Sequence, residues 1–562
     1  MTEDRVSQTK SSKVLVVGLD GGTFDLVRPW VRDGYLPTFK RLMEEGVSDD
    51  LCVELPPGTA ANWPSFMTGK NPGKHGVIYW YTPDKDSWTW SMINSHSIKE
   101  KTLWEILQGH GKKPISINVP VTYPPGATGG TMITGLLTPP SAEDFTYPRG
   151  LKEEIASEVG RYKIYSDEIY REGREEKFLA SLTETLDLRF RTSRYLMNRY
   201  EWDLFMIVFS ETDAVQHAFW KFIDPKHPKY DEALARRFGR GILQIYEKID
   251  QYLAEYLGSL EKGTTLMIMS DHGAGPFYKK FYTNNWLRGL GLLTLKKSPW
   301  SRFKYWAFRQ GFTMQNVYRL VMKTGLANLR RKVDKNESTE SLIRKCFLSY
   351  RDIDWKTTKA FAFGGFGQIY LNVKKKEEES AELHSGDDYE EVREQILRQL
   401  GEMELPGGGP FIERAFRKEE LYSGPHMALL PDIIFKPNRG FLDPGDFEFF
   451  SNKIFDDGVG SSGSHQQNGL FLMWGDRVKT GEVLRGTRIL DLAPTLLYLL
   501  GLPVSTDMDG RVLLDGLKEE WLGGHPVRYA TPEEESSGDG RGYSSGEEEE
   551  IKKKLKGLGY LG

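Results

Sequence analysis

Apolar positions along this chain fall into two kinds of run: short β-branched blocks and longer stretches at helical spacing. Lys13-Val-Leu-Val-Val-Gly-Leu19 is almost wholly apolar and stops at Asp20-Gly21-Gly22, the profile of a strand buried on both faces. Phe24 to Gly46 has helical spacing broken near Gly34 and Pro37. A helix is expected over Lys101–Gly109 and a strand over Pro114–Val119. The long periodic stretch Glu175–Tyr200 leads into the apolar block Asp203–Ser210, and Asp231–Leu260 leads into Thr264–Ser270. Strand and helix taking turns predict an α/β fold, a mostly parallel central sheet with helices on both faces.

After Gly275 the pattern changes. Residues 296 to 333 hold ten Lys and Arg and no Asp or Glu, interleaved with Trp300, Phe303, Tyr305, Trp306, Phe308, Phe312 and Tyr318. A strand at Lys359–Val373 and a helix at Tyr389–Glu402 follow, and core-like alternation returns at Pro431–Phe435, Gly469–Trp474 and Leu490–Leu500. The expected organisation is a polar tail over 1–12, a first core segment over 13–275, an inserted cap over 276–424, a second core segment over 425–529, and a charged tail over 530–562. Few apolar residues follow position 530, which predicts a flexible tail as far as the Leu555–Leu561 end.

Composition narrows the function classes. With 39% hydrophobic and 27% charged residues, the 562-residue chain buries a large core and is not globally disordered. A net charge of −4 argues against coating nucleic acid through bulk charge. Two cysteines, Cys52 and Cys346, make neither a disulfide framework nor a thiolate zinc module. No apolar run reaches the length of a membrane span, and the polar start carries no signal-peptide pattern, so a cytoplasmic location is expected. The basic–aromatic stretch 296–333 has two readings. It is an amphipathic cap with its aromatics packed down, or a face turned to an anionic substrate or lipid surface.

Candidate chemistry gathers at the ends of the predicted strands, where sites lie in open α/β sheets. Asp20 follows Leu19, the Ser210–His217 stretch follows Phe209, and Asp271-His272 follows Ser270. Asp213 and His217 are four apart and share one face of a helix. His465 lies in a glycine-flanked loop just before Leu470. Each has an ordinary reading alone, as a turn residue, an N-cap or a packed histidine. Together, three Asp and three His form a mixed O/N donor set suited to zinc or manganese. Thr59, after Pro56-Pro57-Gly58, opens a helical stretch; it reads either as an N-cap or as a hydroxyl beside an anion-favouring helix end, needing a base or metal for activation.

The order of Asp20-Gly21, Thr59 with Asn62, Thr68-Gly69 and His75-Gly76, Asp213 with His217, Asp271-His272-Gly273, and Gly463-Ser464-His465 resembles the alkaline phosphatase superfamily. It is most similar to the type I phosphodiesterase/nucleotide pyrophosphatase branch. The resemblance implies an alkaline phosphatase-like fold and a two-metal phosphohydrolase. It implies one divalent cation on Asp20, Thr59, Asp271 and His272, a second on Asp213, His217 and His465, Thr59 as nucleophile through a phospho-Thr intermediate, and Asn62 on a phosphoryl oxygen. Small anionic phosphodiesters are the expected substrates, with a phosphomonoesterase, a phosphoryl transferase or mutase, and a non-catalytic metal-binding protein as alternatives. Ala60-Ala61 departs from the Phe-Pro usual in nucleotide pyrophosphatases, and Cys52-Val-Glu-Leu-Pro lacks the sulfatase pattern.

Overall fold

The computed structural model describes residues 12–84, 89–323, 345–372, 387–442, 449–457, 461–532 and 542–560. Among them the central sheet has nine strands, in the order Glu482–Val483, Val47–Cys52, Asn468–Trp474, Thr265–Met269, Val14–Leu19, Leu204–Phe209, Pro114–Val119, Thr131–Thr134 and Thr146–Tyr147. Five consecutive strands, from Thr265–Met269 to Thr131–Thr134, are parallel. Their inner members are fully buried, which is why they read as unbroken apolar runs. Asn468–Trp474 runs antiparallel to both its neighbours, so its amino end lies at the same sheet edge as the carboxyl ends of the parallel strands. This reversal decides where His465 goes.

The expected α/β architecture is present, with differences that have physical causes. The Phe24–Gly46 stretch breaks where expected, into the helices Phe24–Arg32 and Pro37–Glu45, whereas Asp231–Leu260, expected as one helix, is two, Glu232–Phe238 and Gly241–Ser259. Val47–Cys52, with the sequence Val-Ser-Asp-Asp-Leu-Cys, is a sheet strand that its polar residues concealed. Ile433–Pro437, read from sequence as a return to the core, is instead an inner strand of a separate four-stranded antiparallel sheet. Its partners are Gln368–Leu371 and Ile412–Arg417, and Ala360–Ala362 completes the sheet. A buried strand looks alike in either sheet. The charged tail holds a regular helix, Ser545–Leu558, capped by Ser544 and anchored by the buried Ile551 and Leu555. Two apolar residues one turn apart are too sparse to stand out among glutamates and lysines. No helix among the described residues is long and apolar enough to cross a membrane.

One buried ion pair ties the scaffold to the site. Arg189, on the long helix Glu175–Arg199, donates to Glu211 Oε1 through Nε at 3.2 Å and Nη2 at 3.0 Å, and to the Tyr162 hydroxyl at 2.9 Å. Glu211 opens the helix Glu211–Phe219, which carries Asp213 and His217. Both partners are inaccessible to water. Removing the guanidinium leaves a buried carboxylate without its cation. Arg189→Met is expected to destabilise the protein by about 3–5 kcal/mol, read as a lowered midpoint of urea unfolding; an unchanged midpoint would show that the pair is dispensable.

Candidate active site

Each strand end contributes a donor, and local hydrogen bonds hold each donor in place. Asp20 is the first residue past Val14–Leu19. Its turn is stitched to three neighbours: Thr212 Oγ1 donates to Asp20 O at 2.6 Å, Gln216 Nε2 to Gly21 O at 3.0 Å, and Ser270 Oγ to Gly22 O at 2.8 Å. Gly21 has φ +66°, and a Cβ there would lie 2.9 Å from Asp213 Oδ1. Only glycine permits both the left-handed turn and that approach.

The three histidines share one device. His217 Nδ1 lies 2.8 Å from Gly463 O, His272 Nδ1 2.9 Å from Gly273 O, and His465 Nδ1 3.0 Å from Pro57 O. A carbonyl only accepts, so Nδ1 carries the proton and Nε2 faces the centre, as in metal-ligating histidines. His272 Nε2 is 3.4 Å from Asp20 Oδ1 and 3.5 Å from Asp271 Oδ2. His217 Nε2 is 3.3 Å from Asp213 Oδ2 and 3.0 Å from His465 Nε2, and His465 Nε2 is 3.6 Å from Asp213 Oδ1. The rings of His272 and His465 stack with centroids 3.5 Å apart. Ligand atoms of Asp20, Asp271 and His272 lie within 4.8 Å of one another, as do those of Asp213, His272 and His465, so His272 stands between the two groups.

The clustered carboxyls and imidazoles shift one another's proton affinities. Burial and the neighbouring Asp271 hold the Asp20 carboxyl well above its usual pKa, and burial raises Asp271. Burial also opposes ionisation of Asp213, but His217 and His465 outweigh it and hold its carboxyl low. Burial disfavours the His272 cation, yet Asp271 and Asp20 overcome that and push it up to about 10. Burial and the charge on His272 keep His465 far below its usual range.

Thr59 is the first residue of the buried helix Thr59–Thr68, with Gly58 as its N-cap, so the N-cap reading of Thr59 does not apply. Its Oγ1 lies 3.1 Å from His272 Nε2. Asn62 lies one turn further along the same helix, buried like Thr59. Its Nδ2 donates to Glu54 O, Pro56 O and Gly58 O at 3.1–3.3 Å, and its Oδ1 accepts from Glu54 N at 2.8 Å. Both amide hydrogens brace the turn that delivers Thr59.

Two aromatic residues stand at the site that the candidate set did not include, although the closing Gly559-Tyr560-Leu561-Gly562 is part of the family resemblance. Phe366, in the Gly364–Gly367 turn of the inserted sheet, stacks on His465 at 5.0 Å and has φ +65°, a conformation costly for a bulky side chain. Tyr560, from the C-terminal segment, sets its ring 5.8 Å from both His217 and His465. Burial and the Asp20 and Asp213 carboxylates hold its hydroxyl well above the usual phenol range. A positive φ on an aromatic cannot be read from sequence, and the Tyr560 contact spans the whole chain.

A profile of the family described as type I phosphodiesterase / nucleotide pyrophosphatase matches residues 14–442. The chain belongs to that family. Its members are phosphoester hydrolases, and the fold is alkaline phosphatase-like. Phosphonoacetate hydrolase from Sinorhizobium meliloti 1021, solved with phosphonoformate, is similar in structure with a TM-score of 0.50 at 14% identity, over 87% of this chain and 95% of that one. Murine ectonucleotide pyrophosphatase / phosphodiesterase 5, an inactive form solved with AMP, aligns at a TM-score of 0.45 and 14% identity, over 90% of this chain and 100% of that one. No curated protein matches in sequence.

The family is metal-dependent, and the donor set of this phosphodiesterase-family chain fits divalent cations. Asp20 Oδ1 and Oδ2, Asp213 Oδ2 and Asp271 Oδ2 are buried without a hydrogen-bond partner. Unsatisfied buried carboxylate oxygens are costly unless a cation meets them. Asp213→Ala and His465→Ala are each expected to lower the bound metal by about one equivalent per chain without unfolding it, measured by elemental analysis of purified protein. Two full equivalents in either variant would refute the grouping.

Proposed function

We propose that this protein hydrolyses small anionic phosphodiesters, with Thr59 as nucleophile and two divalent cations, zinc or manganese. Asp20, Asp271 and His272, with the Thr59 hydroxyl, would hold one cation, and Asp213, His217 and His465 the other. The observation that carries the reading is Thr59 Oγ1 placed 3.1 Å from His272 Nε2, at the first turn of a buried helix. When bound, the cations would supply charge neutralisation and lower the pKa of the Thr59 hydroxyl and of water. The chain's own part is positional. Asn62 and Gly58 fix the backbone that presents Oγ1, and the helix amino end favours the incoming anion. In the first step an Oγ1–P bond forms, the bond from phosphorus to the leaving alkoxide breaks, and the Thr59 proton is released. Water then cleaves phospho-Thr59 and restores the hydroxyl. Thr59→Ala should lower turnover by roughly a thousandfold or more with metal content unchanged; near-normal turnover would remove Thr59 from the nucleophile role.

Charge favours diesters over monoesters. Among the described residues, no hydrogen-bond or ion-pair partner of the three aspartates, the three histidines or Thr59 is a lysine or arginine. Lys70, the nearest cation in sequence, is spent on Glu100 and Asp507. The residue that the insertion brings to His465 is Phe366, an uncharged ring that offers no bidentate clamp. Matched nitrophenyl substrates should show kcat/KM favouring the diester. A tenfold preference for the monoester, about 1.4 kcal/mol, would reverse the assignment.

We also propose that the basic–aromatic stretch contacts an anionic lipid surface. On the helix Pro299–Arg309, Trp300, Phe303 and Trp306 are 55%, 52% and 59% exposed, with successive ring centroids 5.5 and 5.9 Å apart. Lys297, Arg302 and Arg309 are exposed beside them, while Phe308 and Lys304 turn inward, Lys304 to Asp352. Exposed aromatics flanked by cations suit the headgroup boundary of an anionic bilayer. Vesicles of phosphatidylcholine with phosphatidylserine should sediment the protein. Changing the three aromatics to serine should abolish sedimentation and leave turnover of a soluble diester intact. No sedimentation of the unaltered protein at low ionic strength would refute the contact.

A further inference from the structure

The C-terminal helix is clasped to the core at several points. Tyr543 stacks on Tyr123 with centroids 6.0 Å apart, and its hydroxyl donates to Leu137 O at 2.8 Å. Glu550 accepts from Ser141 N at 3.0 Å, and Ile551 and Leu555 are fully buried. Gly557 lies so close to Ile169 that a Cβ there would sit 2.7 Å from its side chain. The helix then ends on Gly559 in the left-handed conformation, φ +98°, where a Cβ would stand 3.1 Å from the His217 ring. Glycine at this position lets the backbone lie against the imidazole. Tyr560 N donates to Leu555 O at 3.0 Å, turning the tyrosine back over the site. Its ring meets His217 and His465 edge-on at 5.8 Å and Trp80 at 5.5 Å.

We infer that Tyr560 is a positioning residue: its ring, docked by the C-terminal helix, holds the His217 and His465 imidazoles in ligating orientation and so completes the second cation site. The inference deepens the two-cation reading above and rests on it. Free imidazoles in a site with unsatisfied carboxylates rotate to whichever partner is nearest. The Nδ1 bonds to Gly463 O and Pro57 O restrain each ring about one axis. The edge contacts of Tyr560 restrain both rings together, and Trp80 packs edge-on against the tyrosine. Groups that orient metal-ligating histidines are worth about 10–100-fold in metal affinity. Coupling is reciprocal, so cation binding at Asp213, His217 and His465 should in turn tighten the helix Ser545–Leu558 on the core.

Both directions are measurable without substrate. Titration of the metal-free full chain with Mn²⁺ should show two binding events. In Tyr560→Ala, and in a chain ending at Leu558, the event that Asp213→Ala removes should lose affinity about tenfold or more while the other holds. Tyr560→Phe, which keeps the ring and removes only the hydroxyl that reaches Asp213, should retain more affinity than Tyr560→Ala, since the ring contacts with His217 and His465 survive. Hydrogen exchange across 545–558 should slow on adding Mn²⁺ to the unaltered protein and not to Asp213→Ala. Affinities for both events in Tyr560→Ala that match those of the unaltered protein, or exchange indifferent to Mn²⁺, would overturn the inference. A chain that binds two cations with this coupling but hydrolyses no phosphoester would refute the hydrolase reading alone. Two cations bound without the coupling would refute the role of Tyr560 alone.

Discussion

Three aspartate carboxylates are brought into one volume from which water is excluded, and most of the surrounding structure answers to that fact. Asp20, Asp213 and Asp271 are essentially inaccessible, and four of their oxygens have no hydrogen-bond partner. Like charges this close raise one another's proton affinity and draw in whatever cation is available. Here the imidazole of His272 is held protonated by Asp271 and Asp20 against the burial that opposes it. A cluster of this kind subtracts from folding stability unless a divalent charge occupies it, which ties the chemistry of the site to its cost.

Keeping such a cluster in register requires a stiff frame. The frame is the sheet edge: Asp20, Ser210 and Asp271 leave adjacent or near-adjacent parallel strands whose register is set by fully buried residues. The turns after those strands are cross-linked by Thr212, Gln216 and Ser270 rather than left to solvent. Behind the helix that presents Asp213 and His217, the Arg189–Glu211 pair extends the same polar network into the core. Each bond is modest alone. Shared across several elements, they leave the donors little freedom to separate.

The mouth of the site is built from segments far from the sheet. The inserted sheet sends Phe366 onto His465, and the C-terminal segment sends Tyr560 onto His465 and His217. His217 and His465 are thus bounded by aromatic rings on one side and by Asp213 on the other.

Much of this was legible in the chain itself. Unbroken apolar runs ending in Asp20, Ser210 and Ser270-Asp271-His272 marked the buried parallel strands and the polar residues at their ends, because burial on both faces leaves no room for polar side chains within the strand and they reappear in the turn at its carboxyl end. The spacing of Asp213 and His217 placed them on one helix face. Sequence alone did not separate the strand Ile433–Pro437 from the central sheet, since one buried strand reads like another whichever partner it pairs with. Nor did it show that the amide of Asn62 is consumed by its own turn, that Phe366 adopts a left-handed backbone, or that Tyr560 returns to the histidines. Those features depend on which distant segments meet. Local composition reports the solvent a residue avoids, and only the folded chain selects the neighbour it finds.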